Sequence, residues 1–583
     1  MRKLLLAILV LALIICAVGC EPKEPDQTQP TPPPSAAPDP TPTPEMEEDY
    51  TLDICLGQEW YTIDPTFIND EDTAAYSLHL FEGLMKYTPE EDGEGQVVDA
   101  AVTYGMAESY TISEDGLTYT FTIRENAYWS DGEPVRAQDF VYAWQRLLSP
   151  KADEQLEHAL AGHLLDGIVK NAVAVENGQT DPSQLGVRAV DDRTLEVRLE
   201  QPCTYFPKLC ASHCLVPLRQ DVIEAYGGNW TDENKIVTNG AYIITDWVHD
   251  DYLQMEQNPY YYDRENLGPA AIVWHFSDGE QITFQEFESG AYDFIGTFPE
   301  DETAALKEAG ECATEQKAGT YYLYFNTDVI ADWRVRAAML LAVDRESIVA
   351  SLGGDEFPAT GFVAAGIRDS NGDDFSAGVS ETYGTMFNWL QGWYPEHDLS
   401  TYEGRCALAK ALYQESLDAG SWYRAYEVTY CYNSTTTNRT VAQICRQNWM
   451  DVLGLTVNLS VVDRDHYTTV LEEGSFGIAY LSWMSDYDDA GNFLELMDSE
   501  SDYNYGKWYN TAYDGLIDQI STTLAPLERD ELQYYAENQL FSMGGFPLCP
   551  IFFYGDSYCI SEELTNVGYS PFSYYSFQYA ELK

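Results

Sequence analysis

Residues 107–146 read AESYTISEDGLTYTFTIRENAYWSDGEPVRAQDFVYAWQR. Within them, Leu117-Thr118-Tyr119-Thr120-Phe121-Thr122-Ile123 alternates apolar and polar side chains, the period of a half-buried strand. Asp131-Gly132 is a turn signal. Phe140, Val141, Trp144, Leu147 and Leu148 then recur at the spacing of one helix face. Asp139 falls in the first turn of that helix, where the dipole favours an acid, and Pro150 is placed to end it. A second helix is expected over 334–349, with Val335, Met339, Ala342 and Val343 on one side. Outward from this unit, strands and helices alternate irregularly, so the expected class is α/β in mixed lobes. A chain of 583 residues is past the size at which one core stops growing, so roughly two or three lobes are expected.

The N-terminus is built differently. Met1-Arg2-Lys3 precedes an apolar run from Leu4 to Ile15, too short to span a bilayer comfortably and typical of a signal peptide. The run ends in Ala17-Val18-Gly19-Cys20, which resembles the lipobox of bacterial lipoproteins, with Ala17 where leucine is usual. Residues 1–19 are therefore expected to be removed and Cys20 to be lipidated. Residues 21–49 hold ten prolines and almost no large apolar side chain. Proline fixes φ and removes a donor, so residues 20–49 are expected to form the lipidated cysteine and an extended spacer, 24 such residues reaching about 75 Å at ~3.1 Å each. No second apolar run is long enough to span a membrane. The folded part begins near Tyr50.

Net charge is −65, from 96 acids and 31 bases. That field repels nucleic acid and anionic headgroups and attracts cations, free amino groups among them. Ten of the twelve cysteines lie between Cys55 and Cys559 without a CxxC pair, and their pairing cannot be read from spacing. Cys203, Cys210, His213 and Cys214 come closest to a metal cluster but lack the paired short spacing of a structural zinc site, so no metal is expected. The sequence has no HExxH, GxSxG, kinase-like set or GxxxxGK[ST] loop, and its eight histidines are scattered. No cofactor and no catalysis are expected.

The 107–146 stretch resembles the signature of the oligopeptide-binding proteins of ABC importers, the extracellular solute-binding proteins of family 5. Further blocks follow in that family's order: Leu80-Phe81-Glu82-Gly83-Leu84, Val237-Thr238-Asn239-Gly240-Ala241-Tyr242, Asn258-Pro259-Tyr260-Tyr261, Val335-Arg336-Ala337-Ala338 and Trp483-Met484-Ser485-Asp486-Tyr487. The resemblance covers roughly 50–583 and implies a type II, cluster C, periplasmic-binding-protein-like fold with three lobes, a hinge and a central ligand cleft. Lobe I would combine 50–81, 213–318 and 553–583. Lobe II would span 82–212 and lobe III 319–552.

The same resemblance implies a function: capture of extracellular oligopeptides between lobes and delivery to an ABC permease powered by separate ATPase subunits. Asp486 would hold the peptide ammonium, because an enclosed charge without a partner costs several kcal/mol. Ser482, Trp483 and Met484 would form the strand edge that pairs with peptide backbone, with Tyr487 beside them. Asn69, Asp70 and Glu71 would supply the second pairing segment, and Tyr322 and Tyr324 would line the cleft. Two departures stand out. Leu471 and Tyr480 occupy places where some members carry basic side chains, and Met484 and Gly319 stand where some relatives have a disulfide. The expected location is the extracellular face of the cytoplasmic membrane, as a monomer tethered at Cys20. The alternative is the same scaffold with another solute, such as a nickel chelate, haem, an oligosaccharide or a peptide pheromone.

Overall fold

The computed structural model describes residues 50–68, 70–91, 97–148, 164–299, 303–423, 426–572 and 574–583. The signal segment, Cys20, the proline-rich spacer, Asn69 and Pro150 lie outside the described residues.

The opening stretch folds as its periodicity requires. Thr118–Ile123 is a strand whose Tyr119, Phe121 and Ile123 point inward. It is a central strand of a four-stranded antiparallel sheet with Ala107–Ile112, Thr194–Arg198 and Val187–Ala189. Ala137–Leu147 is a helix that buries Phe140, Val141, Trp144 and Leu147. Asp139 does more than answer the dipole: its carboxylate accepts from the Arg136 backbone N–H at 2.9 Å and from Trp129 Nε1 at 3.1 Å. That contact satisfies one amide the helix start would otherwise leave unpaired. The helix expected over 334–349 is instead two, Trp333–Leu341 and Arg345–Leu352. Asp344 breaks the run, because its side chain caps Ser347 N at 3.2 Å and so starts a new helix.

Eleven strands form one larger sheet. In chain order they are β1 (Thr51–Cys55), β2 (Tyr242–Val248), β3 (Tyr252–Gln257), β4 (Ala271–His275), β5 (Phe294–Ile295), β6 (Cys312–Phe325), β7 (Phe357–Pro358), β8 (Val428–Asn433), β9 (Val457–Val462), β10 (Ile478–Met484) and β11 (Leu548–Ile560). Across the sheet the order is β9-β8-β10-β6-β11-β5-β1-β4-β3-β2, with β7 on β11. β6 and β11 are the long members, and they run from a small cluster around Cys55, Cys312 and Cys559 into the core built from residues 318–553. Of the two larger cores, the first is drawn from Leu52 to Phe294 and from Leu564 to Ala580. Residues from Ala318 to Phe553 make the second. The register between β6 and β11 shifts between Gln316 and Thr320. On the near side of that irregularity, Cys312 and Cys559 face each other across the two strands and are disulfide-bonded. Gly319 and Met484 are also direct cross-strand partners, and a Cβ at Gly319 would come within 2.2 Å of Met484 Sδ. The methionine thus fills the space the glycine leaves.

Candidate functional site

β10 carries the segment singled out for binding, and its pairing leaves one edge open. It runs antiparallel to β6 along its whole length, from Ile478 opposite Phe325 to Met484 opposite Gly319. On its other side β8 pairs only Tyr430 with Ile478 and Cys431 with Ala479. From Tyr480 to Met484 no strand among the described residues covers that side. The Tyr480 carbonyl accepts from the Tyr467 hydroxyl at 2.8 Å, and Ser485 N donates the other way, to Ala318 O at 2.7 Å. Backbone groups alternate direction along a strand. Ser482 and Met484 therefore turn their amides and carbonyls toward the open edge.

Just past that edge, a polar knot fixes the turn. Asn492 Oδ1 accepts from Trp483 Nε1 at 2.6 Å, from Ser485 Oγ at 3.2 Å and from Asp486 N at 3.4 Å. Its Nδ2 donates to Asp486 Oδ2 at 3.4 Å. Trp483 stands edge-on to Tyr503, with ring centroids 5.0 Å apart. Asp486 itself is exposed. The acids that follow it are not: Asp488 and Asp489 are each 6% exposed. Lys208 Nζ lies 2.7 Å from Asp488, and burial still pushes that carboxyl above its ordinary range. Burial also opposes ionisation of Asp489. The two-pronged Arg529 contact, the charge of Lys208 and the Gly491 amide outweigh it and hold Asp489 below the usual carboxylate range, and Gln533 Nε2 donates to it at 2.8 Å. Tyr487 is stacked on Tyr205, with centroids 4.4 Å apart and planes 5° apart.

The short helix His213–Leu215 carries two titratable groups, His213 and Cys214. Burial pushes the Cys214 thiol up to about 11, and the charge of Asp486 adds to that rise, so the two are electrostatic neighbours. His213, next to it, is hydrogen-bonded to the Ile68 backbone and feels Asp70.

Three expectations change on contact with the structure. Asp70 is an N-cap: its carboxylate accepts from Thr73 N at 2.8 Å, its carbonyl accepts from Ala74 N, and Glu71 already lies in the helix Glu71–Leu80. Asp70 and Glu71 cannot act as a strand edge, since the helix takes the Asp70 carbonyl; the segment offers first-turn amides instead. Tyr322 and Tyr324 do not line the cleft. Both are 0% exposed, because β6 is covered on both faces, and Tyr324 donates to Tyr503 O at 2.8 Å. Tyr487 is engaged by Tyr205 rather than pointing into open space beside Asp486. The residues that sequence reading missed are Asn492, Lys208, Tyr205 and Arg529. Of these only Asn492, six positions after Asp486, lies within reach of a local pattern.

The chain as a whole is similar to known proteins. A family model described as "Bacterial extracellular solute-binding proteins, family 5 Middle" matches residues 101–505. The Escherichia coli (strain K12) protein named "Probable deoxycholate-binding periplasmic protein YgiS" is 31% identical over 496 residues, 84% of this chain and 86% of that one. The oligopeptide-binding protein OppA of Bacillus subtilis (strain 168) is 29% identical over 527 residues, 89% of this chain and 90% of that one. Among solved structures, the periplasmic murein tripeptide binding protein MppA in its unliganded open form matches with a TM-score of 0.77 at 28% identity. That match covers 92% of this chain and 98% of that one.

Proposed function

Because this chain belongs to the bacterial extracellular solute-binding proteins of family 5, we propose that it captures oligopeptides in a cleft beside β10 and delivers them to an ABC permease. The observation that carries the reading is the open stretch of β10 that ends at the exposed Asp486. An extended peptide can add itself as a strand to such an edge, which reads backbone and not sequence. Only its first residue carries a backbone-linked ammonium, and a carboxylate at the end of the edge sets the register by holding it. Trp483, pinned by Asn492, walls the first side-chain position.

The remaining parts of the reading follow the family scheme. Lobe I combines 50–81, 213–318 and 553–583, lobe II spans 82–212, and lobe III spans 319–552. The irregular stretch of β6 and β11 near Gln316–Thr320 serves as the hinge between lobes I and III. The protein acts by binding rather than catalysis, and the energy of transport comes from the importer's ATPase subunits. It is a monomer held at the extracellular face of the membrane by a lipid on Cys20.

Calorimetry tests the anchor. Unmodified peptides of three to six residues are titrated alongside N-acetylated copies, into the wild type and Asp486→Ala. Removing one partner of an enclosed charge pair costs roughly 2–5 kcal/mol, so about 30-fold or more is expected to be lost for free peptides only. Equal affinity for free and acetylated peptides in the wild type ends this reading. Tight binding of a deoxycholate anion indifferent to Asp486→Ala would favour the other solute class, which one relative's name describes.

A further inference from the structure

Asp486 sits at a junction between two cores. The short helix Phe206–Leu209, with Tyr205 as its N-cap, is built into the first core: the Phe206 ring packs on Tyr119, Phe121 and Trp144. From that helix two side chains reach the residues immediately after Asp486. Lys208 Nζ meets Asp488 Oδ2 at 2.7 Å and also donates to the Arg368 carbonyl at 3.3 Å, while Arg368 N donates to Asp488 Oδ1 at 2.7 Å. Tyr205 lies flat against Tyr487, their hydroxyls 3.3 Å apart, and the Arg529 guanidinium stands 5.4 Å from the Tyr205 ring centre. Asp488, Arg368 and Arg529 belong with the second core. On its other flank Asp486 is tied to Asn492.

From this we infer that Lys208 and Tyr205 are positioning residues: acting from the first core through Asp488 and Tyr487, they fix the Asp486 loop in its ammonium-gripping geometry before peptide arrives. The inference rests on the reading of Asp486 as the anchor. Its physical basis is twofold. A carboxylate on a mobile loop must be ordered at the moment of binding, and each immobilised segment subtracts from affinity; a loop pinned at both flanks has been ordered in advance. Three acids within four positions also repel one another. Lys208 and Arg529 neutralise Asp488 and Asp489, so the loop can stay folded around two buried carboxylates. Without Lys208, Asp488 would have to take up a proton or drag the loop toward water, and Asp486 would move with it.

The test is Lys208→Met, which keeps the length and packing of the side chain and removes its charge. Affinity for a free-amino peptide is expected to fall about tenfold, the scale of losing one buried charged contact indirectly. Affinity for the N-acetylated copy should change by less than about twofold, and Lys208→Arg should recover the free-amino affinity to within about threefold. A purely structural role would weaken both peptides alike. Should Lys208→Met fail to fold, Asp488→Asn carries the same prediction from the other side of the pair. If either variant keeps the wild-type ratio of free to acetylated affinities while Asp486→Ala abolishes it, this inference is overturned and the anchor stands. If Asp486→Ala also leaves the ratio unchanged, both fall.

Discussion

Glu537 offers a quantitative check on the energetics of the second core. It lies on the inner face of the helix Pro526–Leu540 and is 4% exposed. Oε1 accepts from Phe362 N at 2.5 Å and the group also meets the Val363 amide, but Oε2 has no partner among the described residues. A Cβ at Gly361 would come within 2.6 Å of Oε1, so a larger residue there would have to displace the carboxylate. Burial raises the carboxyl from 4.5 to about 7. A raised acid holds its proton more tightly when folded, so its contribution to stability is complete below about pH 4.5. It is lost as pH climbs to about 7 and is flat above that. A shift of this size corresponds to about 3 kcal/mol. Glu537→Gln keeps the acceptor for both amides and cannot ionise; its extra N–H costs about 1 kcal/mol at every pH. The variant is therefore expected to be about 1 kcal/mol less stable than wild type at pH 4.5 and about 2 kcal/mol more stable at pH 8. Urea unfolding followed by tryptophan fluorescence at the two pH values measures this. Glu495, His79 and His213 are also shifted by desolvation, but they are common to both proteins and cancel in the difference. A difference constant within about 0.5 kcal/mol across that range would refute the burial argument.

Two further outcomes follow from the geometry. The Cys312–Cys559 bridge spans 247 positions, so replacing both with serine is expected to lower stability by about 3 kcal/mol, with reductant having the same effect on wild type and none on the variant in urea titrations. Trp483→Ala removes the N–H to Asn492 and the wall against Tyr503. It should weaken free and acetylated peptides alike, by about tenfold in calorimetry, a pattern that separates a side-chain wall from the charge anchor.

Much of the fold was legible wherever one local pattern sufficed. The alternation at Thr118–Ile123 and the apolar face of Ala137–Leu147 needed only the period and a turn between them. The expected long helix over 334–349 failed because apolar spacing continues through Ala342 and Val343, and the competing signal was one cap, Asp344. Tyr322 and Tyr324 were misplaced for a related reason. Strand propensity does not say how many faces a strand will have covered, and β6 lies between β10 and β11 with both faces packed. The site divides in the same way. Trp483 and Asp486 share one short segment with Asn492, but Tyr205 and Tyr487 are 282 positions apart. No periodicity or spacing reaches that far; only the docking of one core on another creates the contact.

The uncovered stretch of β10 has a consequence for the empty protein. Unpaired amides and carbonyls on a strand rim are a template for any extended segment, including the same rim on a neighbouring copy, which is how sheet proteins begin to clump. Each copy carries 65 excess negative charges, so two of them repel as they approach, and salt weakens that repulsion beyond a distance of about 10 Å at 0.1 M. The acidity of the chain thus serves as a guard, keeping a vacant receptor from being plugged by its own kind while leaving the rim open to small, positively tipped guests.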